Sequence, residues 1–208
     1  MNCYISLKGR LTHSEKISRS HFTVNSIHCE TERKGKEFIQ EINGRYSDAS
    51  HNCWAYLVDN PETRKNYSDA GEPSGTAGSH ILGSIEASNL KNIVVVVTRY
   101  FGGIKLGIRG LIDAYGGVTA RALKEAKKAK YCPGIIVSFV MDYSNWNSFS
   151  RVFKEGTDYN KHKITYTDSV NVSIAIKIQM LNTIKKFAEK RNIEHHIGNE
   201  IIFVEPFV

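Results

Sequence analysis

Cysteine is scarce in this 208-residue chain. The four cysteines, Cys3, Cys29, Cys53 and Cys132, lack the paired spacing that builds a zinc cage or a redox dithiol. His51 and Cys53 share one face of a predicted strand, but no third or fourth ligand lies nearby in the sequence. We therefore expect reduced, buried thiols, no metal and no other cofactor.

Long apolar runs are also missing. No segment approaches the roughly 20 apolar residues that cross a bilayer. Residues 1–10 lack the basic-then-apolar order of a signal peptide. These absences predict a globular cytoplasmic protein without a membrane partner.

Positive charge is in surplus, with a formal net charge of +7. Residues 1–132 carry 19 Lys and Arg against 13 Asp and Glu, whereas residues 133–208 carry 9 against 8. A basic surplus confined to the first part is compatible with a polyanionic partner such as RNA. Solvated lysines are the alternative explanation, and no feature indicates specificity for DNA.

Hydrophobic periodicity predicts an α+β fold. In the first part it predicts strands at 22–29, 51–58 and 93–98 and helices at 31–42, 76–87 and 110–130. The first helix is expected to have Thr31 as its N-cap and an apolar stripe of Phe38, Ile39 and Ile42. The turn-rich stretch Asp59–Tyr67 is predicted to be a mobile connection. The long helix is predicted to end in a cluster of lysines, where cations favour the negative end of the helix dipole. These are Lys124, Lys127, Lys128 and Lys130.

The composition changes at Cys132-Pro133-Gly134, which predicts a boundary between a domain at 1–132 and one at 133–208. The second part shows the order βαββαβ. This order is typical of the ferredoxin-like split βαβ motif, in which two helices cover one face of an antiparallel sheet.

A first glycine-rich loop runs from Asp69 to Gly78 and contains Glu72, Ser74, Gly75 and Thr76. Glycines permit positive φ and a close backbone approach, and a following helix offers free N–H groups to an anion. A phosphate cradle and a tight structural turn are equally compatible with the pattern. Ser74 lacks the Gly-x-Ser-x-Gly setting of a nucleophile, so we expect no catalytic residue here.

A second loop, Arg99–Gly107, follows the predicted central strand. Arg99 can pair with phosphate, Tyr100 can stack on a base and Lys105 adds a point charge. The alternative is an internal salt bridge from Arg99 to Asp69 or Glu72, with the two rings at 100 and 101 in the core. Ile108 occupies the position at which a P-loop has lysine, which excludes nucleoside triphosphate binding by a P-loop.

His51 is either a satisfied core histidine or a residue lining the cleft between the loops. We expect Glu72, Ser74, Arg99 and Lys105 to converge on a concave basic pocket. The candidate binding residues are His51, Asp69, Glu72, Ser74, Gly75, Thr76, Arg99, Tyr100, Gly102, Gly103 and Lys105.

Four segments together resemble the YigZ/IMPACT family in its bacterial two-domain form: 51–55, 68–78, 94–107 and 110–116. The resemblance implies an N-terminal IMPACT domain with a ribosomal-protein-like α+β fold that also occurs in elongation factor G. It implies a C-terminal ferredoxin-like domain that resembles the last domain of that factor. The chain departs from the family pattern at Ala70, where a second acidic residue is typical, and at Arg109 and Asp113.

Two classes of function follow. The first is a non-enzymatic module that binds RNA, the ribosome or a translation-associated protein and regulates translation; a pure protein-interaction role is a variant of it, since eukaryotic relatives are thought to regulate translation by binding a protein partner. The second is a hydrolase-type enzyme that acts on a small phosphorylated or peptide substrate in the glycine-loop cleft, with Glu72 or His51 as general acid or base.

Overall fold

The chain divides into two compact units in the computed structural model, which describes residues 3–59 and 62–206, with side chains as far as Asn199. The N-terminal unit is residues 5–128, and the C-terminal unit combines Cys3 and Tyr4 with residues from Ala129 onward. Both units mix helices with strands, which confirms the predicted α+β class.

The described residues of the first part of the chain form six strands and three helices. They are β1 (Tyr4–Leu7), β2 (Leu11–Ile17), β3 (Ser20–His28), α1 (Glu32–Arg45), β4 (His51–Asp59), β5 (Thr63–Ser68), α2 (Gly78–Ala87), β6 (Ile93–Tyr100) and α3 (Gly107–Glu125). Five strands form one antiparallel sheet in the order β2-β3-β6-β4-β5. The strand with the most apolar sequence, β6, therefore lies at the centre.

Burial on both faces explains the uninterrupted β-branched run of β6. Ile93, Val95 and Val97 belong to a core cluster with residues of α2 and α3. Val94 and Val96 belong to a second cluster with residues of α1. Because each face meets a helix layer, no position between Ile93 and Val97 faces water.

The predicted start of α1 is confirmed, since the Thr31 hydroxyl accepts a hydrogen bond from the Lys34 N–H at 3.2 Å. The predicted mobile connection is wrong from Thr63 onward, because Thr63–Ser68 is strand β5, paired with β4. Asn60 and Pro61 lie outside the described residues.

The predicted lysine-rich helix end is also wrong. The helix α3 stops at Glu125, and a new strand begins at Lys128. Lys128 and Lys130 therefore lie on a strand, and only Lys124 occupies the last turn of the helix.

The C-terminal elements follow the predicted order βαββαβ. They are β7 (Lys128–Met141), α4 (Tyr143–Val152), β8 (Tyr159–Tyr166), β9 (Val170–Lys177), α5 (Leu181–Glu189) and β10 (Glu194–Pro206). The sheet order is β1-β7-β9-β8, and β10 pairs with β7. Phe149 of α4 packs against Phe139 of β7 and Phe187 of α5, with ring centroids 5.8 and 5.5 Å apart.

Two cysteines form a disulfide, which corrects the expectation that all four are reduced. Cys3 and Cys132 are 129 residues apart in sequence, and their Cα atoms lie 4.1 Å apart. Cys29 and Cys53 are free and buried as expected. Burial raises the pKa of both thiols to about 12, so they remain protonated at neutral pH.

A helix able to cross a membrane is absent from the residues that the structure describes, because none is both long and apolar enough.

Independent folding of the C-terminal part remains a prediction, and the continuity of β7 sharpens it. A fragment starting at residue 133 lacks the start of β7, which pairs with β10 from Cys132–Phe203 to Ala129–Pro206. A fragment starting at Ala129 keeps those pairs and the buried Tyr131. We therefore expect both fragments to unfold cooperatively in urea, with a higher midpoint concentration for 129–208. Far-UV circular dichroism measures both transitions. Absence of a cooperative transition in the longer fragment would contradict independent folding.

Candidate functional site

The two glycine-rich loops meet at one cleft. The first loop joins β5 to α2 and the second joins β6 to α3. Between them lies a cleft of about 390 Å³, called the loop cleft below. Its lining residues are His51, Glu72, Pro73, Arg99, Phe101, Lys105, Leu106, Gly107, Ile108 and Leu111. Glu72, Arg99 and Lys105 therefore converge as predicted, whereas Ser74 is exposed and does not line this cleft.

A buried ion pair forms the floor of the site. Arg99 Nη1 donates to Glu72 Oε1 at 2.7 Å, and the two side chains are only 6% and 3% exposed. Arg99 Nη2 donates to the Ser20 hydroxyl at 3.3 Å. Of the two readings of Arg99, the structure shows the internal salt bridge, with Glu72 as its partner. The charge of Arg99 is thus already compensated inside the protein.

Tyr115 of α3 completes this cluster and was not among the predicted site residues. Its hydroxyl donates to Glu72 Oε1 at 2.8 Å. Burial, together with the nearby Cys53 and Glu72, raises the pKa of Tyr115 far above its ordinary value. The hydroxyl therefore stays protonated and serves as a hydrogen-bond donor.

The predicted phosphate cradle at the start of α2 is filled by the protein's own carboxylate. Asp69 Oδ1 accepts hydrogen bonds from the Ala77 and Gly78 N–H groups at 2.9 and 2.8 Å. Asp69 Oδ2 accepts one from Gly75 at 2.8 Å. These three N–H groups are therefore not available to an external anion. The first loop is a self-capped turn rather than a cradle.

Other residues of the first loop have structural contacts. Thr76 is buried, and its hydroxyl donates to the Pro73 carbonyl at 2.7 Å. Gly75 has a φ of +75°, a conformation that glycine adopts without strain. Both residues shape the turn that brings Asp69 to the helix start.

Glycine is required in the second loop because the backbone passes close to another turn. A Cβ atom on Gly102 would lie 2.0 Å from the Arg19 carbonyl oxygen. Gly103 follows with a φ of +84°. The close approach is therefore to the turn between β2 and β3 rather than to a ligand.

His51 lines the loop cleft, which is the second of its two predicted placements. Its Nδ1 lies 3.0 Å from the Ala70 carbonyl oxygen, and its Nε2 lies 4.0 Å from Glu72 Oε2. Because a carbonyl only accepts, the Nδ1 atom carries the proton of a neutral His51. The Nε2 atom is then left with a free lone pair.

The exposed aromatic ring of the cleft is Phe101 rather than Tyr100. The Tyr100 hydroxyl donates to Asp48 at 2.8 Å, and Tyr100 does not line the cleft. Phe101 is 49% exposed and lines the cleft, so the alternative that places this ring in the core is wrong. No pattern in the sequence distinguishes the exposed ring from the partly buried one when two aromatic residues are adjacent at a strand end.

The loop cleft is less basic than predicted. Pro73, Phe101, Leu106, Ile108 and Leu111 supply apolar wall, and Arg99 is paired. Lys105 forms no ion pair within the part of the chain that is described. No group of three or more His, Cys, Asp or Glu residues suited to a metal ion occurs among the described residues.

The departures from the family pattern are accommodated locally. Arg109 and Asp113 lie one turn apart on α3 and form an exposed ion pair at 3.2 Å. Ala70 has a φ of +45°, and its carbonyl receives the hydrogen bond from His51.

The self-capping by Asp69 predicts a stability that depends on pH. Burial opposes the charge of this carboxylate, but the N–H donors of Gly75, Gly78 and Ala77 outweigh it and keep its pKa below the ordinary value. Because the folded pKa is lowered, the contribution is present above the unfolded pKa of about 3.9 and is lost as pH falls through the folded pKa. Asp69→Asn should cost about 1 kcal/mol at neutral pH.

We expect this cost, measured by urea unfolding, to shrink below about pH 4. Asp113→Asn is the control, since its exposed pair should change stability by no more than a few tenths of a kcal/mol, about 0.5 at most. An equal cost of Asp69→Asn at neutral and acidic pH would show that the charge is irrelevant.

Comparison with known proteins supports a family assignment. The family model described as the Impact N-terminal domain matches residues 18–123. The chain is 41% identical over 123 residues to the IMPACT family member YvyE of Bacillus subtilis, covering 59% of this chain and 57% of YvyE. It is 35% identical over 135 residues to the IMPACT family member YigZ of Escherichia coli, covering 64% of this chain and 66% of YigZ. The matched regions thus span less than two thirds of these relatives.

One solved structure, a crystal structure described as that of a hypothetical protein, covers nearly the whole chain. The alignment covers 95% of this chain and 97% of the chain in that crystal structure, with a TM-score of 0.65 and 25% sequence identity. The domain match over residues 18–123 contains both glycine loops and the buried Arg99–Glu72 pair. The chain therefore belongs to the YigZ/IMPACT family.

Proposed function

We propose that this protein is a non-enzymatic binding module that acts in translation and binds single-stranded RNA at the loop cleft. One observation carries the proposal. Glu72 and Arg99 form an ion pair with each other. The Phe101 ring and the Lys105 side chain remain exposed at the rim of the cleft. An exposed ring beside a lysine can stack on a base and contact a phosphate.

The charge distribution supports the same choice. The N-terminal unit holds the basic surplus of the chain, and many of its basic side chains are neutralised by internal ion pairs. Lys105 is exposed and lies in the cleft without such a partner among the described residues. A polyanion approaching this unit therefore finds an available cation next to an aromatic ring.

The link to translation rests on the family. Members of the IMPACT family in eukaryotes are thought to regulate translation, and the fold implied by the resemblance also occurs in a translation factor. Ribosomal RNA and a translation-associated protein are the partners that this relationship favours.

The salt dependence of RNA affinity tests the proposal. Lys105→Ala should reduce the slope of log affinity against log salt by about 0.7, the value for one phosphate contact on a single strand. Phe101→Ala should lower affinity at every salt concentration without changing the slope, because stacking involves no counterion release. Fluorescence anisotropy with a labelled single-stranded RNA measures both.

Lys124→Ala, at the far end of α3, is the matched control and should leave the slope unchanged. Arg99 should contribute nothing to the slope, because its charge is already paired. Lack of affinity for RNA at about 50 mM salt, where electrostatic binding is strong, would refute RNA binding and leave a protein partner.

A hydrolase acting on a small phosphorylated or peptide substrate is the second candidate, and the geometry of His51 favours it. In neutral His51 the Nε2 atom carries a lone pair at the cleft, as a general base requires. Glu72 is unsuited to that role because Arg99 and Tyr115 hold its carboxylate. Hydrolysis of p-nitrophenyl phosphate or of a dipeptide that His51→Gln abolishes would favour the enzyme. Under the binding proposal we expect no such hydrolysis.

A further inference from the structure

The start of α3 differs from the start of α2 in a way that matters for anions. Each helix start presents N–H groups that have no partner inside the helix. At α2 the Asp69 carboxylate accepts three hydrogen bonds from the turn. At α3 no side chain of the described residues accepts a hydrogen bond from the helix start, and the first turn has no acidic residue. Gly107 and Ile108, in this uncapped turn, line the loop cleft.

A second observation at the same place is a buried donor without a partner. Arg99 lines the cleft with a side chain that is 6% exposed, and its Nε has no hydrogen-bond partner among the described residues. Buried donors are nearly always paired in folded proteins. The Nη atoms of Arg99 are held by Glu72 and Ser20, so an oxygen-bearing ligand in the cleft would add a hydrogen-bond acceptor for Nε rather than a new charge pair. Lys105 adds a full positive charge two residues before α3.

The rest of the cleft suits a flat, largely apolar ring. Phe101, Ile108 and Leu111 line it, and Ile108 is 67% exposed. The volume of about 390 Å³ is at the lower end of ordinary ligand pockets. Such a volume accommodates one nucleotide rather than a length of strand.

We propose that the loop cleft binds the terminal nucleotide of a phosphorylated RNA end, with the phosphate at the uncapped start of α3 beside Lys105 and the base against Phe101. The inference rests on the proposed RNA-binding function and specifies its ligand. A terminal phosphate fits better than an internal one, because it carries more negative charge and has only one attached sugar. A free mononucleotide shares this chemistry.

Competition experiments separate these sources. A fluorescent, 5′-phosphorylated single-stranded RNA is displaced by unlabelled RNAs of the same sequence with a 5′ phosphate, a 3′ phosphate or no phosphate. Adenosine monophosphate and inorganic phosphate are tested alongside. We expect at least one phosphorylated end to compete about fivefold better than the unphosphorylated RNA, as an anion at a helix start implies. Competition by the mononucleotide at a similar concentration would identify a free nucleotide as a ligand of the same site.

Ile108→Glu tests the position of the phosphate. The new carboxylate at the second position of α3 would occupy the free helix start, as Asp69 does at α2. The preference for a phosphorylated end should then disappear, while thermal stability stays equal or rises. Ala120→Glu adds the same charge at an exposed position farther along α3 and should keep the preference.

Equal competition by all three RNAs would overturn this inference and leave the proposed RNA binding intact. Persistence of the preference in Ile108→Glu would also overturn it. Failure of every RNA to bind would defeat both the inference and the proposed function.

Discussion

The buried pair of Arg99 and Glu72 is the interaction on which the site depends. Arg99 comes from the end of the central strand and Glu72 from the first glycine loop, and Tyr115 joins them from α3. Three elements distant in sequence are thus fixed by one carboxylate oxygen. Removing one partner of such a pair leaves a buried uncompensated charge, which costs about 3–5 kcal/mol. The network therefore stabilises the cleft walls while leaving the rim to contact a ligand.

The two helix starts beside the cleft show how similar loops acquire different roles. Both follow glycine-rich segments, and both present free N–H groups. Asp69 precedes α2 by nine residues, and its carboxylate returns to the helix start. The loop before α3 contains a lysine and no acid. A difference in one charged side chain thus separates a closed structural turn from a positively polarised surface.

Local signals accounted for much of the fold. The apolar stripe of α1, its Thr31 cap and the β-branched run of β6 were readable because each pattern is written in consecutive residues. Strand β5 was missed because five of its six residues are exposed and polar or aromatic, which gives no apolar alternation. The Cys3–Cys132 bond was missed because spacing along the chain says nothing about two residues that only folding brings together.

In the site, as in the fold, features set by neighbouring residues were predictable and contacts made only on folding were not. The convergence of Glu72, Arg99 and Lys105 was predicted correctly, because loops at the ends of adjacent elements meet. Two contacts were not predicted: that of Asp69 with the start of α2 and that of Tyr115 with Glu72. Both depend on the path of the backbone in three dimensions. The choice between Tyr100 and Phe101 as the exposed ring likewise required the end of β6 to be known.

The disulfide between Cys3 and Cys132 closes most of the chain into a covalent loop. Both cysteines belong to the C-terminal unit, so the whole N-terminal unit, residues 5–128, is a loop closed by that bond. In the chain-entropy description, closing a loop of this length restricts the unfolded chain by about 5 kcal/mol. The oxidised and reduced forms would then share their folded contacts and differ chiefly in their unfolded ensembles. Redox state would therefore alter how readily the protein unfolds without altering the loop cleft.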